Sequence, residues 1–122
     1  MACRITDLVL NCVDPEALAP FWCAVLGYTE LERDETGASL GPPGGGGRPG
    51  MTLLRSTDPK VGTLRLHLDV NTTDGDQDSE LARLLSVGAR PVDIGQGDVS
   101  WHVLADPEGH EFCLLRSTVT PA

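Results

Sequence analysis

The chain carries one pattern twice, and nothing else in it restricts the fold as much. Arg4 to Val13 alternates, with Thr6, Leu8, Leu10 and Cys12 on one side and Ile5, Asp7, Val9 and Asn11 on the other. That is the period of a half-buried strand. Asp14-Pro15-Glu16 then has the form of a helix start: an N-cap acid, a proline at the first position, a carboxylate in the first turn. Leu18, Phe21, Trp22, Val25 and Leu26 follow as an amphipathic stripe, which Gly27 stops. Strand-like runs at 28–33, 38–40 and 51–56 complete the half. The order then begins again. Residues 63–70 alternate, with Leu64, Leu66, Leu68 and Val70 opposite Arg65, His67 and Asp69; residues 71–78 are rich in N-cap types; Leu81, Leu84 and Leu85 form a stripe stopped by Gly88. Runs at 90–94, 100–105 and 111–116 close the chain, the last two joined by the turn Asp106-Pro107-Glu108-Gly109. His67 follows Asp7 by 60 residues, Gly88 follows Gly27 by 61, and Leu114 follows Leu54 by 60.

A repeat of this kind means that one unit cannot bury its own sheet face alone. The pattern predicts an α+β fold of two βαβββ modules, about 1–57 and 62–120, in a single domain spanning 1–122. Each helix covers one face of its sheet. The opposite faces, with Asp7, Val9, His67 and Asp69, are left to line something shared. Two four-stranded sheets meeting edge to edge would make a concave eight-stranded mixed sheet, and a concave face is a ligand site by default. Residues 41–50 hold six glycines and three prolines, which predicts a mobile loop over a surface or a cavity mouth. Arg48 and its neighbouring glycines do not make a phosphate cradle, because the Lys-Ser/Thr and the following helix are missing.

Charge narrows the function. A net charge of −9 disfavours nucleic acid and anionic membrane surfaces as partners. No apolar run approaches the ~20 residues that span a bilayer, and Arg4 and Asp7 interrupt any signal-peptide core. The expectation is a soluble cytoplasmic protein. Cys3, Cys12, Cys23 and Cys113 lack zinc-type spacing and read as free thiols in a reducing compartment.

The run Asp14-Pro-Glu-Ala-Leu-Ala-Pro-Phe-Trp-Cys-Ala-Val-Leu-Gly27 resembles the first helix of the vicinal oxygen chelate superfamily. That group includes glyoxalase I, extradiol dioxygenases, and fosfomycin- and bleomycin-resistance proteins. Leu66-His-Leu-Asp-Val70 resembles its second-module first strand, and Asp106-Pro-Glu-Gly-His-Glu-Phe112 its closing hairpin. The resemblance covers essentially the whole chain and is nearest to glyoxalase-like domain proteins. It implies a homodimer and a four-position metal site. By position those four would be Asp7, Leu53, His67 and Cys113. Leucine cannot ligate, and the last position usually holds glutamate. His110 stands where a turn asparagine is usual, and Glu111 would reach inward only if the hairpin register shifted. Asp7, His67 and Cys113 remain as candidate metal ligands, an O, N, S set chemically possible for zinc, but the site is incomplete.

His67 reads either as a wall histidine bonded to Asp7 or Asp69, or as a general base. A carboxylate from Asp7 beside its imidazole would suit proton transfer near neutral pH. Trp101, on the pleat face of Val103, offers a stacking surface. Val9, Asp69 and Cys113 complete the ligand-binding candidates. The leading expectation is a binder of a small organic molecule without the full metal site. The alternative is a lyase or isomerase, metal-dependent or using Asp7 and His67 as an acid–base pair.

Overall fold

A computed structural model of the chain describes residues 1–121. It divides into two compact units, Met1–Pro59 and the remainder from Lys60 onward. Each is strand, helix, three strands, and each closes its own four-stranded sheet.

In the first unit, β1 (Asp7–Cys12) leads into α1 (Pro15–Leu26), then β2 (Thr29–Asp34), β3 (Gly37–Gly41) and β4 (Gly50–Arg55). The sheet order is β1-β4-β3-β2, with β1 and β4 parallel and the other pairs antiparallel. α1 begins where the Asp14 carboxylate accepts from the Ala17 N–H, with Pro15 at its first turn. It ends at Gly27, whose φ of +68° is a left-handed conformation that glycine adopts without a Cβ clash. Leu18, Phe21 and Trp22 from the helix stripe are buried, the two rings meeting edge to face at 5.3 Å. They pack over Ala38, Leu40, Met51 and Leu53, which are 0–2% exposed and share one sheet face. Arg55 closes the end of this layer, donating to the carbonyls of Glu35 and Val13 and to the Glu16 carboxylate.

The glycine-rich loop is anchored at its far end. The Tyr28 hydroxyl donates to the Pro49 carbonyl at 2.6 Å, and the Arg48 guanidinium lies 5.4 Å from the Tyr28 ring centre. The side chain that holds this segment comes from the connection between α1 and β2.

In the second unit, β5 (Leu68–Val70) precedes α2 (Gln77–Ser86), β6 (Arg90–Pro91), β7 (His102–Ala105) and β8 (Glu111–Leu114), in the sheet order β5-β8-β7-β6. The Asp76 carboxylate caps α2 by accepting from the Ser79 N–H. Gln77 then ties the helix to the sheet by donating to the Leu114 and Ser100 carbonyls. Leu84, Leu104, Phe112 and Leu114 are no more than 1% exposed and form the core of this half. The closing turn is built on Asp106, which is fully buried. One of its oxygens accepts from the backbone N–H groups of Glu108 and His110, and the other from His110 Nδ1–H at 2.8 Å. The histidine thus stands where it can complete the turn that an asparagine usually serves.

The strands of this half are shorter than their alternation predicts. Residues 63–67 leave the sheet, and Leu66, expected beside Leu68, is 71% exposed. Glu111 is the physical reason. Its Oε1 accepts the Leu64 N–H at 2.9 Å and its Oε2 pairs with Lys60 Nζ at 2.7 Å, so a side chain takes the place of a ladder bond.

Candidate functional site

Each sheet has a face turned to its helix and a far face. In the first unit the register pairs Asp7 with Gly50, Val9 with Thr52 and Asn11 with Leu54, and β3 adds Ser39 opposite Thr52 and Gly37 opposite Leu54. These residues share the far face. Asp7 and Val9 are exposed there, Val9 at 60%, and the Thr52 hydroxyl donates to Asp7 Oδ2 at 2.7 Å.

The register corrects the assignment of Leu53. It pairs with Leu10 and Ala38 on the helix side and has no exposed surface. The β4 residue beside Asp7 and Val9 is Thr52, which the sequence reading passed over. In the second unit Leu68 pairs with Phe112, Asp69 with Cys113 and Val70 with Leu114. Leu8 pairs with Met51, so Phe112 corresponds to Met51, Cys113 to Thr52, and Leu114 to Leu53 rather than to Leu54. The closing strands repeat at 61 residues while the opening strands repeat at 60. One residue of slip moves every side chain to the other face.

The second far face is built in cross-strand rows. Asp69, Cys113 and Val103 form one row, and Glu111 with Ala105 the next. Glu111 therefore lies on the Cys113 face with no shift of the hairpin. Val103 and Cys113 are buried, at 3% and 7%, so they form a floor. Exposure is confined to the margins. Asp69 on β5 and His67, one residue before it, are exposed, and Trp101, one residue before β7, is 39% exposed. Trp101 and His67 stand just outside β7 and β5, beyond the ladder pairs that assign a face.

The sequence places Asp7 or Asp69 as the expected hydrogen-bond partner of His67. In the structure, His67 Nε2 instead bonds the Leu64 carbonyl at 2.7 Å. Leu64 is therefore held on both sides of its Cα, its N–H by Glu111 and its carbonyl by His67. Burial pushes the Glu111 carboxyl up, but the Lys60 ammonium and the Leu64 N–H more than offset this and its pKa lies below the ordinary value. Burial raises the Cys113 thiol, and the charge of Asp69 beside it raises it further.

The family's metal site does not fit these donors. Leu53 is in the core and cannot ligate, and Cys113 is buried in the floor of the second far face. One Asp7 oxygen is committed to Thr52, one His67 nitrogen to a carbonyl, and Glu111 to Lys60. Among the described residues, no group of three or more His, Cys, Asp or Glu side chains is placed to hold an ion. No helix among them is long and apolar enough to cross a membrane.

Comparisons with known proteins agree with this architecture. The chain superposes on a glyoxalase/bleomycin resistance protein/dioxygenase family enzyme from Burkholderia phytofirmans with a TM-score of 0.69 at 17% identity, covering 92% of this chain and 97% of that one. A fosfomycin resistance protein from Listeria monocytogenes, complexed with Mn(II) and 1S,2S-dihydroxypropylphosphonic acid, gives 0.69 at 14% identity, with 98% and 94% covered. A superfamily member from Sphaerobacter thermophilus gives 0.64 at 17%, with 95% and 98% covered. At these identities the likeness is one of fold. No curated protein sequence matches the chain. The sequence profile described as Glyoxalase-like domain matches residues 7–115. Its span takes in both modules from the first far-face carboxylate to the last strand, and the chain belongs to the glyoxalase-like domain family of the vicinal oxygen chelate superfamily.

Proposed function

We propose that this protein binds a small organic molecule at the far face of its second sheet, without a tightly held metal ion. One observation carries the reading. Asp69 exposes a carboxylate beside a buried floor of Val103 and Cys113, and an exposed imidazole and a partly exposed indole, His67 and Trp101, stand one residue outside β5 and β7. Surfaces of this composition hold a planar or aromatic body against the ring while polar edge groups orient it. The first far face supports the same chemistry, with Asp7 and Thr52 beside the exposed Val9. Its carboxylates and the net charge of −9 repel anions, so a neutral or cationic ligand is favoured. The phosphonate bound by the fosfomycin resistance protein is of the opposite kind.

The two tryptophans supply the test. Trp22 is 1% exposed inside the core, so ligand-dependent quenching must come mainly from Trp101. A panel of neutral and cationic aromatic compounds should quench the fluorescence saturably in the wild type and not in Trp101→Phe. Quenching that survives in Trp101→Phe, or a panel with no saturable member, sinks the reading. Stoichiometric metal in elemental analysis of the purified protein would remove its metal-free part.

A lyase or isomerase reading is favoured by one feature of the same site. His67 is exposed and keeps its second ring nitrogen available for proton transfer. Loss of turnover with retained binding in His67→Ala would select it, and equal loss of both would leave binding as the function.

A further inference from the structure

Three observations converge on one side chain that neither the binding reading nor the family assigns a role. Glu111 is 8% exposed, yet it sits on the far face beside the row of Cys113 and Asp69. It accepts the Leu64 N–H and pairs with Lys60, fixing the segment 60–64 as a strap against β8. The carbonyl of Leu64 itself, in the next peptide, lies 2.7 Å from His67 Nε2. A carbonyl only accepts, so the nitrogen facing it must carry the proton.

We infer that Glu111 is a positioning residue: through the anchored Leu64 it holds His67 in the Nε2–H tautomer and leaves Nδ1 as a hydrogen-bond acceptor for the ligand. The inference rests on the binding reading for its consequence but not for its geometry. In a neutral imidazole one nitrogen donates and the other accepts, and the bond made by one decides the role of the other. Among the described residues Nδ1 has no protein partner. The Asp69 carboxylate two residues on is an acceptor as well, so the two exposed polar groups both accept. The site selects ligands that bring donors, such as ammonium, hydroxyl or amide N–H groups, over molecules of the same shape that only accept.

The tautomer is measurable without a ligand. Long-range ¹H–¹⁵N correlation at alkaline pH, where imidazoles are neutral, assigns the protonated nitrogen of each of the three histidines. Wild-type His67 is expected as the Nε2–H form. Glu111→Gln keeps an acceptor for the Leu64 N–H and should keep that tautomer. Glu111→Ala removes the acceptor and should let the Nδ1–H form appear at a tenfold or greater gain over the wild type. A wild-type protein already mixed or Nδ1-protonated overturns the inference outright, whether or not the alanine variant folds. A folded Glu111→Ala variant with an unchanged tautomer overturns it as well.

The ligand arm uses benzylammonium and benzyltrimethylammonium, both cationic and aromatic, of which only the first has N–H donors. Benzylammonium should bind at least fivefold more tightly, followed by His67 and Trp101 resonances, and Glu111→Ala should cut that preference to below twofold. Equal affinity for the two probes overturns the donor selection. A fixed tautomer with neither probe bound leaves the Glu111 latch standing and sinks the binding reading instead, so the two failures are separable.

Discussion

The two modules are copies of one plan, and at one position they diverge in a way that explains most of their other differences. Gly50 in β4 and Glu111 in β8 are equivalent by register, each one residue before the pair that joins Leu8 to Met51 and Leu68 to Phe112. In the first module the glycine lets the Asp7 side chain fold down onto the sheet. A Cβ there would lie 2.9 Å from Asp7 Oδ1 and 3.1 Å from the Leu40 carbonyl. The Gly50 N–H continues the ladder to the Thr6 carbonyl, and β1 runs for six residues. In the second module the glutamate intercepts the Leu64 N–H with its carboxylate, and β5 is three residues long. A backbone position that is bare in one copy and charged in the other sets where the opening strand begins. It also decides whether the repeat-equivalent residue lies in the strand, as Asp7 does, or just outside it, as His67 does.

The comparison is sharpest in the core, where the largest effects are expected. Leu53 and Leu114 are equivalent and each is completely buried. Leu53→Ala and Leu114→Ala should each cost about 2–5 kcal/mol in urea unfolding. Similar losses would confirm the 61-residue spacing of the closing strands. A nearly neutral Leu53→Ala would mean that this residue faces outward with Asp7, and the register correction would be wrong.

That correction also shows what the sequence discloses and what it hides. Both helices are legible because their signals are local: Asp14 as a cap, the stretch 71–78 rich in N-cap types, and Gly27 and Gly88 at the stops. The strand faces of β1 are legible because alternation survives along an edge. The opening strand of the second module is not, because alternation in residues 63–67 says nothing of a carboxylate 47 positions later that captures Leu64. Leu53 was misplaced for a different reason. The glycine stops are 61 residues apart and the opening strands 60, which already signals one extra residue between strand and helix stop. Carrying that extra residue forward pairs Leu53 with Leu114 and brings Thr52 to the far face. Of the candidate site residues, Asp7, Val9, Asp69, Val103 and Cys113 are on the far faces by register, and His67 and Trp101 lie one residue outside β5 and β7, beyond the ladder. The burial of Val103 and Cys113 has no local sign, because a far-face valine looks the same in sequence whether covered or open.

The next effect in size tests the bare position itself. Gly50→Ala places a methyl group against the Asp7 carboxylate, which can swing away, and against the Leu40 carbonyl, which is backbone and cannot. The expected cost is about 1–3 kcal/mol. The reciprocal change, Glu111→Gly, should free residues 60–67 and raise amide exchange at Leu64. If Gly50→Ala is silent while Glu111→Gly still frees the strap, the glycine is incidental and the glutamate alone makes the modules differ.

Smaller again is the charge of Glu111. Glu111→Gln keeps the acceptor for Leu64 but loses the ion pair with Lys60, a cost of about 1 kcal/mol at neutral pH. The pH dependence has a definite sign. A carboxylate whose folded pKa is depressed stabilises the protein fully above the unfolded value, near 4.3, and the contribution disappears as pH falls through the lower folded value. The gap in Tm between wild type and Glu111→Gln should therefore be constant above about pH 5.5 and shrink below about pH 4.3. A gap that widens on acidification would mean that the carboxyl is protonated in the native protein.

The smallest effect probes the polar pair in the first module that has no counterpart in the second. The Thr52 hydroxyl donates to Asp7 at 2.7 Å, and at the equivalent place Cys113 lies beside Asp69 without such a bond among the described residues. A weak thiol donor cannot match a hydroxyl, and the Asp69 charge acts on Cys113 only by raising its pKa. Thr52→Val should cost about 0.5–1 kcal/mol, because the bond lies at an exposed carboxylate that water can serve instead. Thr52→Cys, which copies the second module, should fall between the two. The more telling readout is the Asp7 side chain, whose carboxylate ¹³C signal should show one ordered rotamer in wild type and averaging in Thr52→Val. If Asp7 stays ordered without the hydroxyl, the close approach over Gly50 holds it alone, and the first module presents its carboxylate by shape where the second presents its imidazole by a hydrogen-bonded strap.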